Sequence, residues 1–362
     1  MRLRVLVVED SVTIRRRLCE ILAADPELEV IGEAEDGKQA IELCQLLRPD
    51  VLTLDIVMPV MSGLTATEYI MAYVPTPILI VSASTNRGEL FKTYDALAAG
   101  ALDVLEKPTA EGVDSTWERR FRATVKLIAR IRVITHPRAR LGTTPRAAAA
   151  AAISESPPAP NHPHRTSQRY RVVALGASTG GPAAIVTVLR ALPRQLPVPV
   201  LFVLHIDEPF AAAFAEWLEN QTPHRICYAH EGEPLDSLRG QVIMAPPGRH
   251  LTVVGARLRL GSEPPRHSCR PSVDVLFDSL AADGGAQVLA GLLTGMGRDG
   301  AAGLLAIRRA GGYTLAQDEA TSVVYGMPRE AALLGGAQAV LPLDRIGPEI
   351  LRLLGGVERP MT

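Results

Sequence analysis

Residues 172–192 read VVALGASTGGPAAIVTVLRAL. An apolar run meets Gly176, Ala177, Ser178, Thr179 and Gly180, and a helix-like stretch begins near Pro182. Small flanking residues let a chain turn sharply from strand to helix, so the segment predicts a βα unit with the Ser178 hydroxyl exposed at a sheet edge, near a positive helix terminus. The alternation continues around it, with strand-like runs at Arg171–Leu175, Val200–Leu204, Val242–Met244, Gln287–Leu293, Tyr313–Ala316 and Ala339–Leu341. One interruption, LTVVGARLRL at 251–260, predicts a β-hairpin turning at Gly255 and Ala256.

Upstream the pattern stops from about Arg132 to Arg169, where Pro, Ala, Ser and Arg dominate. Such a stretch buries too little apolar surface to offset its ordering entropy, so residues 132–169 are expected to be a flexible linker. His162 and His164 inside it form a local HxH, but a mobile tract supplies no fixed metal geometry. Before the linker, strand-like runs at Leu3–Val8, Val30–Gly32, Val51–Leu54, Ile78–Val81 and Asp103–Leu105 alternate with helix-like stretches, the last around Trp117–Ile131. Five βα units predict a parallel sheet covered by helices on both faces. The expected class is therefore α/β, with two doubly wound parallel-sheet domains: a flavodoxin-like one over 1–131, and a larger one over 170–357 carrying the small antiparallel hairpin.

At 362 residues the chain exceeds one ordinary core, and 47% apolar against 21% charged residues suits packed domains. A net charge of -1 provides no global field to attract nucleic acid or anionic lipid, and no nucleic-acid partner is expected. The opening MRLRVLVVEDS is interrupted by Glu9 and Asp10 too soon for a signal peptide or membrane span, so a cytoplasmic location without membrane insertion is expected. Cys19, Cys44, Cys227 and Cys269 show no CxxC spacing and are expected to be small buried apolar residues.

In open parallel sheets ligands sit outside the carboxyl ends of the strands. In the first domain Glu9 and Asp10 follow one strand, Asp55 ends another, Ser82 ends a third and Lys107 follows the last. Three converging carboxylates repel one another unless a hard cation such as Mg²⁺ joins them. A carboxylate beside that metal can attack a phosphoryl group, with Lys107 neutralising its oxygens and Ser82 donating a hydrogen bond. The set VVEDS, LTLDIVMP, ILIVSAS and Lys107-Pro108 resembles the receiver domain of bacterial response regulators. The resemblance implies Asp55 as phosphoacceptor, Mg²⁺ held by Glu9, Asp10 and Asp55, and Glu9 standing where many members carry Asp.

In the second domain Gly-x-Ser-x-Gly lies in strand–turn–helix context, which suits a nucleophile. A serine nucleophile needs a base, and the base an orienting acid. His205 follows the strand Val200–Leu204 and so stands at the same edge as Ser178, whereas His136, His162, His164, His224, His230, His250 and His267 lie in the linker, in loops or away from strand ends. The strand GAQVLAGLLTG opens into Met296, Gly297, Arg298 and Asp299, and Asp299 is the expected orienting acid, with Asp207 its rival. The order Ser178, His205, Asp299 differs from that of α/β-hydrolases. GASTGG, the strand-end histidine, MAPPGRHL, RPSVDVLF, LLTGMGRDGAAG and YGMPREA together resemble the CheB-type chemotaxis protein-glutamate methylesterases. With the receiver, the resemblance spans nearly the whole chain. It implies hydrolysis of glutamate methyl esters, and deamidation of glutamines, on the cytoplasmic helices of chemoreceptors. It further implies a CheA-type histidine kinase as phosphodonor, a Ser178–His205–Asp299 triad, backbone N–H groups of Thr179 and Met296 at the oxyanion, and no cofactor in the esterase domain.

One departure stands beside the site. The family follows its histidine with Met-Pro-Pro, whereas this chain reads Ile206-Asp207-Glu208-Pro209, two acids that bear on receptor recognition and on the His205 pKa. The competing readings are a non-catalytic signalling adaptor and a nucleotide-binding output using GASTGG and GMGRDG as phosphate loops; the latter lacks the P-loop lysine.

Overall fold

The computed structural model describes residues 2–83, 86–108, 115–131, 133, 170–206, 208–211 and 213–355. The expected linker 132–169, Val133 apart, and Asp207 lie outside the described residues. In the N-terminal half the order is β1 (Leu3–Val8), α1 (Val12–Ala23), β2 (Leu28–Ala34), α2 (Gly37–Leu47), β3 (Val51–Leu54), α3 (Gly63–Tyr73), β4 (Ile78–Ser82), α4 (Arg87–Ala98), β5 (Asp103–Glu106) and α5 (Ser115–Ile128). The five strands form one parallel sheet in the order β2-β1-β3-β4-β5. Both faces are covered, which is why β3 and β4 are mostly apolar and buried along their whole length instead of alternating. Polar side chains start the helices: Ser11, Asp36, Ser62 and Asn86 each accept a backbone N–H from the first turn.

The second half runs β6 (Val172–Ala177), α6 (Gly181–Arg190), β7 (Val200–Leu204), α7 (Glu208–Ala211), α8 (Phe214–Gln221), β8 (Arg225–Tyr228), β9 (Gln241–Met244), β10 (His250–Val254), β11 (Arg257–Gly261), α9 (Val273–Ala282), β12 (Val288–Leu292), α10 (Ala301–Arg309), β13 (Tyr313–Gln317), α11 (Met327–Leu333), β14 (Ala339–Leu341) and α12 (Leu343–Leu353). Seven strands make a parallel sheet in the order β14-β13-β12-β6-β7-β9-β8. The edge strand β8 is absent from the sequence reading. It is four residues long and begins on exposed Arg225, too short and too polar to stand out. The hairpin forms as expected: β10 and β11 pair antiparallel, and Gly255 (φ 59) with Ala256 (φ 58) make the left-handed two-residue turn such ribbons favour.

The switch in strand order places β6 between β12 and β7, so three strand ends converge at one crevice. The two domains pack through α4 against α6 and α8. Tyr94 is wholly buried there, its ring edge-on to Phe214 at 5.3 Å and its hydroxyl donating to the Phe210 carbonyl. Trp217 Nε1 donates to Asp95 Oδ1 at 2.8 Å, and Arg87 pairs with Glu216. Among the described residues no helix is long and apolar enough to cross a membrane.

Candidate active site

Ser178 leaves the end of β6 one residue after Ala177, and its carbonyl accepts from Gly181 N at 2.7 Å to close the turn into α6. Gly180 sits at φ 77, and a Cβ there would lie 2.6 Å from the Val323 Cβ, so both conformation and space require glycine. Ser178 N is engaged by the Thr294 carbonyl at 3.0 Å, and Thr294 Oγ1 donates to Thr179 O at 3.0 Å, which ties the nucleophile turn to the end of β12. Among the described residues neither the Thr179 nor the Met296 N–H has a hydrogen-bond acceptor, leaving both as free donors at this edge.

His205 follows β7, with its N–H on Ala177 O at 3.1 Å. Its Nε2 lies 2.9 Å from Asp299 Oδ2, and its Nδ1 faces the cleft, 3.6 Å from Cys269 Sγ. Ser178, Thr179 and His205 line one cleft of about 260 Å³. Asp299 is buried yet richly held. The Ser272 hydroxyl donates to Oδ1 at 2.7 Å, Val273 N to Oδ2 at 2.7 Å and Asp274 N to Oδ1 at 3.1 Å, so the N-terminus of α9 cradles the carboxylate. Burial pushes the Asp299 carboxyl up, but His205, Ser272 and the Asp274 N–H outweigh it and hold it below the ordinary range. Burial likewise disfavours a charged His205, and the hydrogen bonds to Asp299 and Cys269 overcome it, raising its pKa to about 9.

These observations bear on two expectations. The contacts that most raise the His205 pKa are those with Asp299 and Cys269; of the two acids after it, Glu208 starts α7 and Asp207 is outside the described residues. Of the four cysteines only Cys44 is buried. Cys269 is half-buried against the histidine, and Ser272 braces the acid. Neither was legible beforehand, because both act through a loop whose return to the edge is a tertiary event. Of the other histidines, His267 Nε2 pairs with Asp274 Oδ2 at 3.0 Å, and buried His250 accepts from Ser272 N at 3.2 Å.

In the N-terminal domain Glu9, Asp10 and Asp55 bring one carboxylate oxygen each to within 4.8 Å of the others. Lys107 Nζ lies 2.8 Å from Asp55 Oδ2 and 2.9 Å from Glu9 Oε2. The cap of α1 is Ser11, whose side chain accepts the Ile14 N–H. Burial and the neighbouring Asp55 charge push the Glu9 carboxyl up to about 7 despite Lys107, and burial raises Asp55 against the same lysine. Glu9 Oε2 is buried without a well-aligned donor. An oxygen-only donor set, mutually repelling and incompletely satisfied by one ammonium, fits a hard divalent cation. Ser82 ends β4 in the same pocket.

The family model for CheB methylesterase matches residues 173–350, and that for the response regulator receiver domain matches residues 5–113. A protein-glutamate methylesterase/protein-glutamine glutaminase 2 of Anaeromyxobacter dehalogenans is 43% identical over 352 residues, covering 97% of each chain. The chain belongs to the CheB methylesterase family. A second CheB relative, from Pseudomonas aeruginosa and named likewise, is 45% identical over 359 residues and 97% of each chain. A third, protein-glutamate methylesterase/protein-glutamine glutaminase 4 of Myxococcus xanthus, is 46% identical over 329 residues and 90% of each chain. In this CheB chain the receiver also walls the cleft: Leu97, Leu102, Asp103, Val104 and Arg120 line it opposite Ser178 and His205.

Proposed function

We propose that the chain is a cytoplasmic, phosphorylation-controlled serine esterase that hydrolyses glutamate methyl esters, and deamidates glutamines, on chemoreceptor cytoplasmic helices. The observation that carries this is the His205–Asp299 hydrogen bond of 2.9 Å in the cleft that Ser178 lines. Because Asp299 occupies Nε2, the base is Nδ1. It takes the Ser178 proton as the hydroxyl attacks the ester carbonyl, and returns it to the departing methanol, or ammonia from a glutamine. Water then releases the acyl-enzyme through the same nitrogen. The free N–H groups of Thr179 and Met296 stabilise the oxyanion. The cradle of α9 keeps Asp299 ionised, so the imidazole stays oriented and its cationic form is stabilised when it accepts the proton.

Asp55 is the phosphoacceptor, with a CheA-type kinase as donor. Glu9, Asp10 and Asp55 would hold Mg²⁺, which when bound screens the charge between the carboxylate and the incoming phosphoryl group. Lys107 neutralises the phosphoryl oxygens and Ser82 offers its hydroxyl. Ser82 ends the strand that leads to α4, the helix whose Tyr94 and Asp95 grip the esterase. Control needs only a few kcal/mol of bias between docked and released arrangements. The adaptor alternative is disfavoured by the intact Ser, His and Asp constellation and by relatives named as enzymes. The test is methanol release from a methylated receptor fragment by wild type and Ser178→Ala, with and without a small phosphodonor. Release by wild type alone, rising with phosphodonor, is expected; equal release by both proteins overturns the reading.

A further inference from the structure

We propose that His205 and Cys269, backed by Asp299, form a binding site for a zinc-type divalent ion that switches the esterase off. The inhibitory half rests on the serine-esterase reading above; the binding half does not. His205, Cys269 and Asp299 are a cluster in which each residue places one ligand-type atom within 4.8 Å of the others. The cysteine is held to that place. Arg266 and Cys269 exchange backbone hydrogen bonds of 3.1 and 2.9 Å around a tight turn whose central residues, His267 (φ 51) and Ser268 (φ 63), both adopt the left-handed conformation.

Three features single out a zinc-type ion. Cys269 Sγ and His205 Nδ1 stand 3.6 Å apart. Zinc bonds of about 2.3 Å to sulfur and about 2.0 Å to nitrogen at a tetrahedral angle span roughly 3.5 Å, so the ion enters between the two atoms with almost no movement. Asp299 accepts from the far imidazole nitrogen, which is the carboxylate–histidine arrangement that orients and strengthens a zinc ligand. The nearest cation in sequence does not oppose the ion: Arg270 turns its guanidinium to the carbonyls of Ser262 and Glu263 at 3.1 and 3.2 Å. Cleft solvent completes the shell. Binding releases the thiol proton and, below about pH 9, the Nδ1 proton of His205 to solvent, leaving thiolate and neutral imidazole on the metal. The nitrogen that would accept the Ser178 proton is then taken. Among the described residues no other thiol belongs to a cluster of three ligand-type side chains.

The test uses the full chain, stripped of transition metals and kept in excess Mg²⁺ to occupy the receiver carboxylates. Co²⁺ is the spectroscopic probe and Zn²⁺ the competitor. The wild type is expected to show a thiolate-to-cobalt charge-transfer band at one ion per chain, abolished by Zn²⁺ and absent in Cys269→Ser, which retains the other three cysteines. Zinc inhibition of methanol release, normalised to each protein's own rate without zinc, is expected to require roughly tenfold or more zinc in Cys269→Ser. No wild-type band, or an equal band in Cys269→Ser, overturns the site. A band confined to wild type with no effect on turnover overturns the inhibitory half and the assignment of His205 as base, while the binding site stands.

Discussion

The two domains each bring a buried aspartate to the carboxyl edge of a parallel sheet, yet treat it in opposite ways. Asp55 has one lysine and two neighbouring carboxylates, and burial raises its pKa. Asp299 is buried as well, but faces a histidine, a hydroxyl and two backbone N–H groups, and is held below the ordinary range. The lesson is that burial alone does not set carboxylate chemistry; the count and sign of what faces it do. The crowded acid suits a group awaiting a cation and a phosphoryl group, whereas the fully paired acid suits one that stays ionised to steer a base.

That contrast can be broken most severely on the esterase side. Ser178→Ala should cut methanol release by about 10³-fold or more, the residue left to oxyanion donors and binding. Asp299→Asn removes the charge while keeping the shape, and a loss of about 10³-fold to 10⁴-fold is expected; retention of activity would show that the paired acid is not the steering one. The pH profile sharpens the same point. His205 acts as base only when neutral, so kcat/KM of the unphosphorylated chain should rise with pH and level off above about 9. A plateau beginning near the ordinary histidine value of 6.5 would mean that the Asp299 and Cys269 contacts do not persist in the working enzyme.

On the receiver side, Asp55→Asn should abolish phosphoryl incorporation from a small donor and, with it, the rise in esterase rate; a rise that survives would move the acceptor elsewhere. The smallest effect belongs to the contact joining the two sites. Asp95→Ala deletes the 2.8 Å hydrogen bond from Trp217, and a bond of about 1 kcal/mol corresponds to a roughly fivefold rise in the rate without phosphodonor. An unchanged rate would show that docking through α4 does not restrain turnover.

Much of the fold was legible because periodicity and turn chemistry are local. The five strands and helices of the receiver, the nucleophile turn at Ser178 and the hairpin at Gly255-Ala256 all stand where the pattern places them. The edge strand β8 was not, since Arg225–Tyr228 is short and its pairing is supplied by β9. The candidate site divides the same way. Strand ends name their own residues, so Ser178, His205, Asp299, Glu9, Asp10, Asp55, Ser82 and Lys107 were visible as a set. Ser272 and Cys269 were not visible, because the stretch that carries them follows the antiparallel hairpin and not a strand of the parallel sheet.

What the sequence by itself determined, then, is which side chains reach the two sheet edges, for apolar runs ended by polar or small residues specify that without knowledge of their neighbours. Only the tertiary structure decided which ring nitrogen of His205 meets Asp299, that Cys269 meets the other, and that the receiver docks through Tyr94 and Asp95 so that Leu97 walls the cleft. Those outcomes depend on how a loop and a whole domain pack against a finished edge, and no local spacing encodes the distance between elements far apart in the chain.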